Sequence, residues 1–205
     1  VPKNTPGLTL VRPLTTFGYD DAPIGHAELV FENCRVPLDN VLLGEGRGFE
    51  IAQGRLGPGR MHHCMRLIGI GQRSLELACQ RAVSRTTFGR QLSKHQSVRE
   101  DISRMFSEIE MARLLVLKTC HKIDEQGVPA SVDMIAATKT TVPLMMQSVI
   151  DRAIQMHGAG GLTEDYCMAE GFNYARWCRQ ADGPDQVHQM ALGKQIIERY
   201  SGKKA

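Results

Sequence analysis

The apolar positions of the chain change period once. Before about residue 44 they form short strand-like stretches. LTLVR (8–12) and AELVFENCRV (27–36) are rich in β-branched and large apolar residues, and the intervening GYDDAPIG carries the Gly, Asp and Pro of a turn. Two such strands need a sheet or a helix to pack against. From about Gly48 the apolar residues recur every three or four positions, the spacing of helices.

Cys64, Leu67, Gly71, Leu75, Ala78 and Ala82 form one stripe and predict a helix over about 60–85. Gly57, Pro58 and Gly59 are expected to kink or break any extension of it toward the N-terminus. A second helix is predicted from Ser93 or Lys94 to about Glu125, through Val98, Ile102, Met105, Ile109, Ala112, Val116 and Ile123, stopping at Gly127, Val128 and Pro129. A third begins near the cap candidate Ser131, carries Ile135, Thr138, Val142, Met145, Val149, Ala153 and Met156, and ends in GAGG. The fourth covers about 164–180. The fifth covers about 184–200, with Val187, Met190, Lys194, Ile197 and Tyr200 along one side and Pro184 in its first turn. Long helices joined by short loops predict mostly antiparallel neighbours, hence a mainly α chain built as a helical bundle. Methionines within the stripes read as core filler.

Composition narrows the function classes. The 205 residues, 42% hydrophobic and 23% charged, can bury a proper core. A net charge of +3, without a basic run interleaved with aromatics, argues against nucleic-acid binding. Six scattered cysteines show neither a disulfide framework nor zinc spacing, which fits a reduced, intracellular compartment. His62, His63 and Cys64 are consecutive, and helix neighbours point about 100° apart, so no shared metal is expected. No apolar run approaches the ~20 residues of a membrane span. The chain opens on VPKNTPGLTL, without a methionine or a signal peptide, and is expected to be a fragment of something longer.

Three breaks between helices can carry chemistry. RTTFGR (85–90) offers two guanidinium groups, a hydroxyl and an aromatic ring, which suit a phosphate or another anion. The same residues read equally as a basic helix C-terminus. QMHGAGG (155–161) lets the backbone approach something flat or charged, or simply terminates a helix. It is not the dinucleotide fingerprint and follows no strand. RQADGPDQVHQ (179–189) places Asp182 and Asp185 on either side of a Gly-Pro break.

The order of these pieces decides among the readings. VFENCRVPLDNVLLGEGRGFEIA (30–52), Arg60, RTTFGRQLSKHQ (85–96), QMHGAGG (155–161) and ADGPDQVH (181–188) together resemble the acyl-CoA dehydrogenase family over essentially the whole chain. The resemblance implies that residues 1–46 finish a middle β-barrel domain and that residues 47–205 are the C-terminal helical bundle. It implies FAD as cofactor, an acyl-CoA substrate, a homodimer or homotetramer, and electron-transferring flavoprotein as acceptor. Arg85, Phe88 and Gln96 are similar to the family's contacts to the FAD of a neighbouring subunit, and Gln155 and Gly158 to its adenosine-side contacts, with Ala159 where glycine is usual. Arg60 stands in the place of an active-site arginine, with Arg60 and Gly183 near the thioester. The family's base is a glutamate at the final break; here it is carried over as Asp182, shorter by one methylene, about 1.5 Å. Pro184 replaces a hydroxyl and an N–H used near the flavin, and Gln186 is left as a polar contact.

The ADGPD variant resembles the subgroup called acyl-CoA dehydrogenase family members 10 and 11. The implied reaction is α,β-desaturation in fatty acid β-oxidation, in mitochondria or peroxisomes of a eukaryote or the cytoplasm of a bacterium. The fragment alone is expected to be inactive. Two alternatives stay open. Nitroalkane oxidases share the scaffold and use an aspartate base, and a chain lacking the remaining domains could serve only as a helical oligomerisation module.

Overall fold

Residues 1–23 and 25–201 are described by the computed structural model, which separates into two units, Val1–Arg55 and the residues from Leu56 onward. In the first unit β1 (Leu8–Leu14) pairs antiparallel with β2 (His26–Phe31), Leu8 lying opposite Phe31 and Leu14 opposite His26. The register slips between Leu10 and Arg12, which leaves Val11 as a bulge. The second strand is shorter than its apolar texture predicts. Asn33 takes a left-handed φ of 49° and turns the chain out of the ladder before Val36 is reached.

The second unit is helical. α1 (Gly48–Ser84), whose residues from Leu56 belong to this unit, continues through the segment expected to break it. The expectation at Pro58 fails for a physical reason. Pro58 and Gly54 both lie on the exposed side, so the Gly54 carbonyl that loses its N–H partner faces water. On the other side Gly57 is buried where a Cβ would come within 2.7 Å of Val128 Cγ1. The Cys64 to Ala82 stripe is buried throughout, as its spacing predicts.

A small hairpin, β3 (Thr86–Thr87) and β4 (Arg90–Gln91), joins α1 to α2 (Gln96–Ala130). Gly127 interrupts α2 at φ 77°, where the predicted stop lies, and a last helical turn follows it. α3 (Val132–His157) then starts after Ser131. That serine does not cap it: its hydroxyl donates to the Gly127 carbonyl at 2.8 Å. The Asp133 carboxylate instead accepts from the Met134 N–H at 2.7 Å.

α4 (Met168–Cys178) is shorter than predicted, because Thr163 to Cys167 are taken up by turns. The hydroxyl of Thr163 there donates to the Gly160 carbonyl. α5 (Asp185–Tyr200) follows Pro184, which is the capping residue and not in the first turn.

α3 packs against α2, α4 and α5. Leu67 and Ile68 of α1, Met105 and Ile109 of α2, Met146 and Ile150 of α3, and Met168 of α4 are fully buried. Side chains of this size each contribute about 1.5–3 kcal/mol on burial. The predicted stripe of α5 faces outward: Val187 is 50% exposed, Met190 71% and Tyr200 88%. The helix meets the bundle through Asp185 and half-buried residues such as His188 and Leu192, on a different side. Periodicity identifies an apolar stripe, but not what covers it.

Candidate active site

The break between α4 and α5 is held from three helices. Asp182 sits at φ 56° and Gly183 at φ 105°, two left-handed residues in succession. Such backbone is uncommon for an aspartate and persists only where surrounding contacts impose it. Those contacts fall on main-chain oxygens. Arg60 of α1 donates from Nε and Nη2 to the Asp182 carbonyl at 3.1 and 2.9 Å. His188 Nε2 of α5 lies 3.1 Å from the same oxygen, and Lys139 Nζ of α3 donates to the Gly183 carbonyl. Asp185 is buried and accepts from Arg179 Nε at 2.8 Å, while its own N–H donates to the Arg179 carbonyl. The second carboxylate of the break is therefore structural.

Each carboxylate keeps one buried oxygen without a hydrogen-bond partner among the described residues, Oδ1 of Asp185 and Oδ2 of Asp182, but Asp185 is tied through its other oxygen to Arg179, whereas Asp182 Oδ2 is approached by His63 Nε2 at 3.7 Å. Leaving a carboxylate oxygen buried without a donor costs on the order of 1–3 kcal/mol or more, so native chains keep such atoms rarely and often for function. A small recess of about 10 Å³, room for roughly one water molecule, lies beside Asp182, lined by Arg60, His63, Cys64, Lys139, Cys178 and Asp182, among others.

Burial dominates the titration of this region. It pushes Arg60, Lys139 and His188 below their ordinary values, the cations being partly offset by nearby carboxylates. Burial raises the thiols of Cys64 and Cys178 to about 12, which leaves them protonated and inert.

Of the residues expected to act together, the structure gathers Arg60, Asp182 and Gly183. Pro184 is half-buried beside them, and Gln186 is exposed on the first turn of α5. The remaining candidates lie elsewhere. Arg85 is exposed at the end of α1, Phe88 at the tip of the hairpin, and Gln96 at the start of α2, where its amide donates to Glu100 at 2.8 Å. From Arg60 to the end of α1 the helix advances about 36 Å at 1.5 Å per residue. One chain's hairpin and its Asp182 therefore cannot hold the same part of one ligand.

Phe88 is 99% exposed at φ 50°, a strained position for a bare aromatic ring. Gln155 is exposed on the last turns of α3. Gly158 follows at φ 64°, and a Cβ built there meets nothing within 4 Å. The exposed ring, guanidinium, carboxamide and bare backbone are each chemically able to meet a flat or anionic ligand.

His63, Lys139 and His188 escaped the sequence reading. Lys139 was legible in principle, since it falls at helical spacing between Ile135 and Val142 on a buried face. His63 lies one turn from Arg60, and the three neighbours at 62–64 diverge as helix geometry requires: His62 is exposed, Cys64 is in the core.

The C-terminal domain family of acyl-CoA dehydrogenases matches residues 46–197. Acyl-CoA dehydrogenase family member 10 of Mus musculus is 53% identical over 201 residues, which are 98% of this chain and 19% of that protein. Family member 11 of Gallus gallus is 51% identical over 195 residues, 95% of this chain and 25% of that protein. The structure of butyryl-CoA dehydrogenase from Megasphaera elsdenii superposes with a TM-score of 0.84 at 30% identity, covering 96% of this chain and 50% of that one. The chain thus spans between a fifth and a quarter of these two curated relatives.

Proposed function

The chain belongs to the acyl-CoA dehydrogenase family, and from that membership we propose that it supplies the base-bearing helical part of a flavoprotein that desaturates acyl-CoA thioesters between the α- and β-carbons. The observation that supports this reading most is the Asp182 carboxylate, buried, unsatisfied at Oδ2, and presented by a left-handed turn clamped from three helices.

Asp182 takes the α-proton of the thioester. That proton is weakly acidic, so its acceptor has to be held within hydrogen-bond reach in a water-poor site. Arg60 and Lys139 meet the first condition by fixing the two carbonyls of the turn, which leaves the side chain free to point at substrate. Both cations reach main-chain oxygens and not the carboxylate, so neither directly neutralises the base. Asp182 is shorter than the family's glutamate, and the turn compensates through backbone position. FAD, once bound, would supply the acceptor for the hydride lost from the β-carbon.

Arg85 and Phe88 would hold the FAD of a neighbouring subunit, with Gln96 at the head of α2. Gln155 and Gly158 would meet its adenosine side, and Pro184 and Gln186 would stand near the flavin on the base side. The roughly 36 Å of α1 between Arg60 and the helix end supports this division, since a homodimer or homotetramer lets each chain complete another's site. We further propose fatty acid β-oxidation as the setting, electron-transferring flavoprotein as the acceptor, residues 1–46 as the end of a middle β domain, and no activity from the helical part alone.

The test is Asp182→Asn in the full-length protein, assayed with a series of acyl-CoAs and, under oxygen, with a nitroalkane. Loss of desaturation with retained FAD and CoA-ester binding supports the proposal. Undiminished desaturation, or turnover of the nitroalkane alone, overturns it.

A further inference from the structure

Behind the Asp182 carboxylate stands a polar chain that the reaction as proposed does not use. His63 projects from α1 with Nε2 3.7 Å from Asp182 Oδ2. Its other nitrogen, Nδ1, lies 2.6 Å from the Tyr174 hydroxyl and 3.3 Å from Arg66 Nη2. A guanidinium only donates, so the contact from Arg66 makes Nδ1 the accepting nitrogen, and the Tyr174 hydroxyl can donate to the same atom. The hydrogen of the neutral ring then sits on Nε2, the nitrogen that faces Asp182. An ionised carboxylate accepts only, so this is the tautomer that its presence requires as well.

The imidazole is also fixed sterically. Its edge meets Trp177 with centroids 5.5 Å apart, and Trp177 stacks on Tyr174 at 14° between planes. Tyr174 is thus both a hydrogen-bond partner and part of an aromatic wall, with the Arg66 guanidinium 5.8 Å above its ring. Charged and titratable groups approach the same recess from every side: Arg60 and Arg66 from α1, Lys139 from α3, Tyr174 and Cys178 from α4, and Asp182 from the loop. α5 adds His188 on the Asp182 carbonyl.

We propose that His63 is the positioning residue of the base: its Nε2–H, held in place by Tyr174 and Arg66, steadies the Asp182 carboxylate in the orientation from which it takes the α-proton. The proposal rests on Asp182 being the base. At 3.7 Å the donor is close enough to bias the carboxylate's rotamer and charge, yet too far to satisfy Oδ2, which keeps the lone pair available to the α-proton. A shift of less than 1 Å would complete the hydrogen bond. Once the proton has moved, Asp182 is neutral and the interaction weakens, so His63 acts on the carboxylate before transfer and takes no proton itself.

The experiment compares His63→Gln, His63→Ala and Tyr174→Phe in the full-length protein, with Asp182→Asn alongside. In His63→Ala the carboxylate loses the group that holds its orientation, and kcat is expected to fall on the order of tenfold with KM changed far less. The acid limb of kcat/KM should move to higher pH by about one unit. Gln, which can present an N–H along the same line, should recover part of both effects, and Tyr174→Phe should reproduce them weakly. Independently of turnover, the ring nitrogen resonances of His63 should move in Asp182→Asn when the protein is labelled at histidine. An unmoved acid limb in all three variants, or His63 resonances indifferent to Asp182→Asn, overturns the positioning role while leaving the base intact. Full turnover in Asp182→Asn overturns the base, and the positioning role with it.

Discussion

Arg60 and Asp182 are 122 positions apart, and the guanidinium of one closes on the main-chain carbonyl of the other with two hydrogen bonds. An arginine beside a carboxylate proposed as the base invites the reading of a salt bridge. Here its hydrogen bonds go to the backbone, so the contact fixes where the carboxylate is presented and leaves its lone pairs alone. Arg60→Lys replaces a planar fork by a point charge that cannot serve both bonds. The expected result is a loss of about tenfold or more in turnover, corresponding to the roughly 1.5–3 kcal/mol of a charge-assisted hydrogen bond, with FAD retained. Steady-state kinetics and flavin absorbance on the same preparation check it.

Gly183 answers to two constraints. Its φ of 105° is costly for any L side chain, and a Cβ would stand 2.9 Å from His188 Nε2. Gly183→Ala should therefore lower the unfolding free energy by about 1–3 kcal/mol and impair turnover more than binding. Adding His188→Ala removes the contact but not the backbone strain. The double variant should recover only part of the loss, which denaturant unfolding of all three variants measures.

Much of this architecture is legible in the order of apolar and polar residues, and the failures have physical causes. The buried stripe of α1 and the break at Gly127 follow directly from spacing. Pro58 misleads because the rule that prolines end helices assumes that the orphaned carbonyl is buried, and at Gly54 it is not. α5 misleads because an apolar stripe records that something is to be covered, without saying by what. At the site, the resemblance and the Gly-Pro break point to Asp182 and Arg60, and the structure brings those two residues together. The buried spacing of Lys139 is legible on α3, but its pairing with the turn, like the approach of His63 from α1, is a long-range relationship that no local pattern encodes.

Acid should act on the fold in two separate windows. Burial holds His188 below its ordinary value near 6.5, so the unfolded chain takes up that proton first as pH falls. The corresponding stability is complete above about pH 6.5 and is lost as pH drops toward the folded value. Asp133 is the depressed-carboxylate case. Burial alone would raise it, but hydrogen bonds from Lys122, the Met134 N–H and Arg199 outweigh that and hold it at about 2. Its contribution is complete above its ordinary value of about 3.9 and is lost between there and about pH 2. Thermal unfolding followed from about pH 8 to about pH 2 should show both steps. His188→Gln should flatten the upper one and Asp133→Asn the lower one.

Phe88 separates holding a cofactor from holding the fold. Its ring is 99% exposed at a strained φ, so within this chain it contributes no burial. Phe88→Gly relieves the left-handed backbone and removes nothing from the core, and should leave the melting temperature of the apoprotein unchanged or raise it slightly. If the ring packs on the FAD of a neighbouring chain, the same substitution should cost flavin. The expected outcome is a protein that folds normally, elutes with a reduced ratio of flavin to polypeptide, and regains its yellow colour only with excess FAD. Because Phe88 lies about 36 Å along α1 from the residues around Asp182, mixing Phe88→Gly chains with Asp182→Asn chains tests the shared site directly. In a hetero-oligomer one interface carries both lesions and the other carries neither, so activity should reappear in the mixture although each parent alone is impaired.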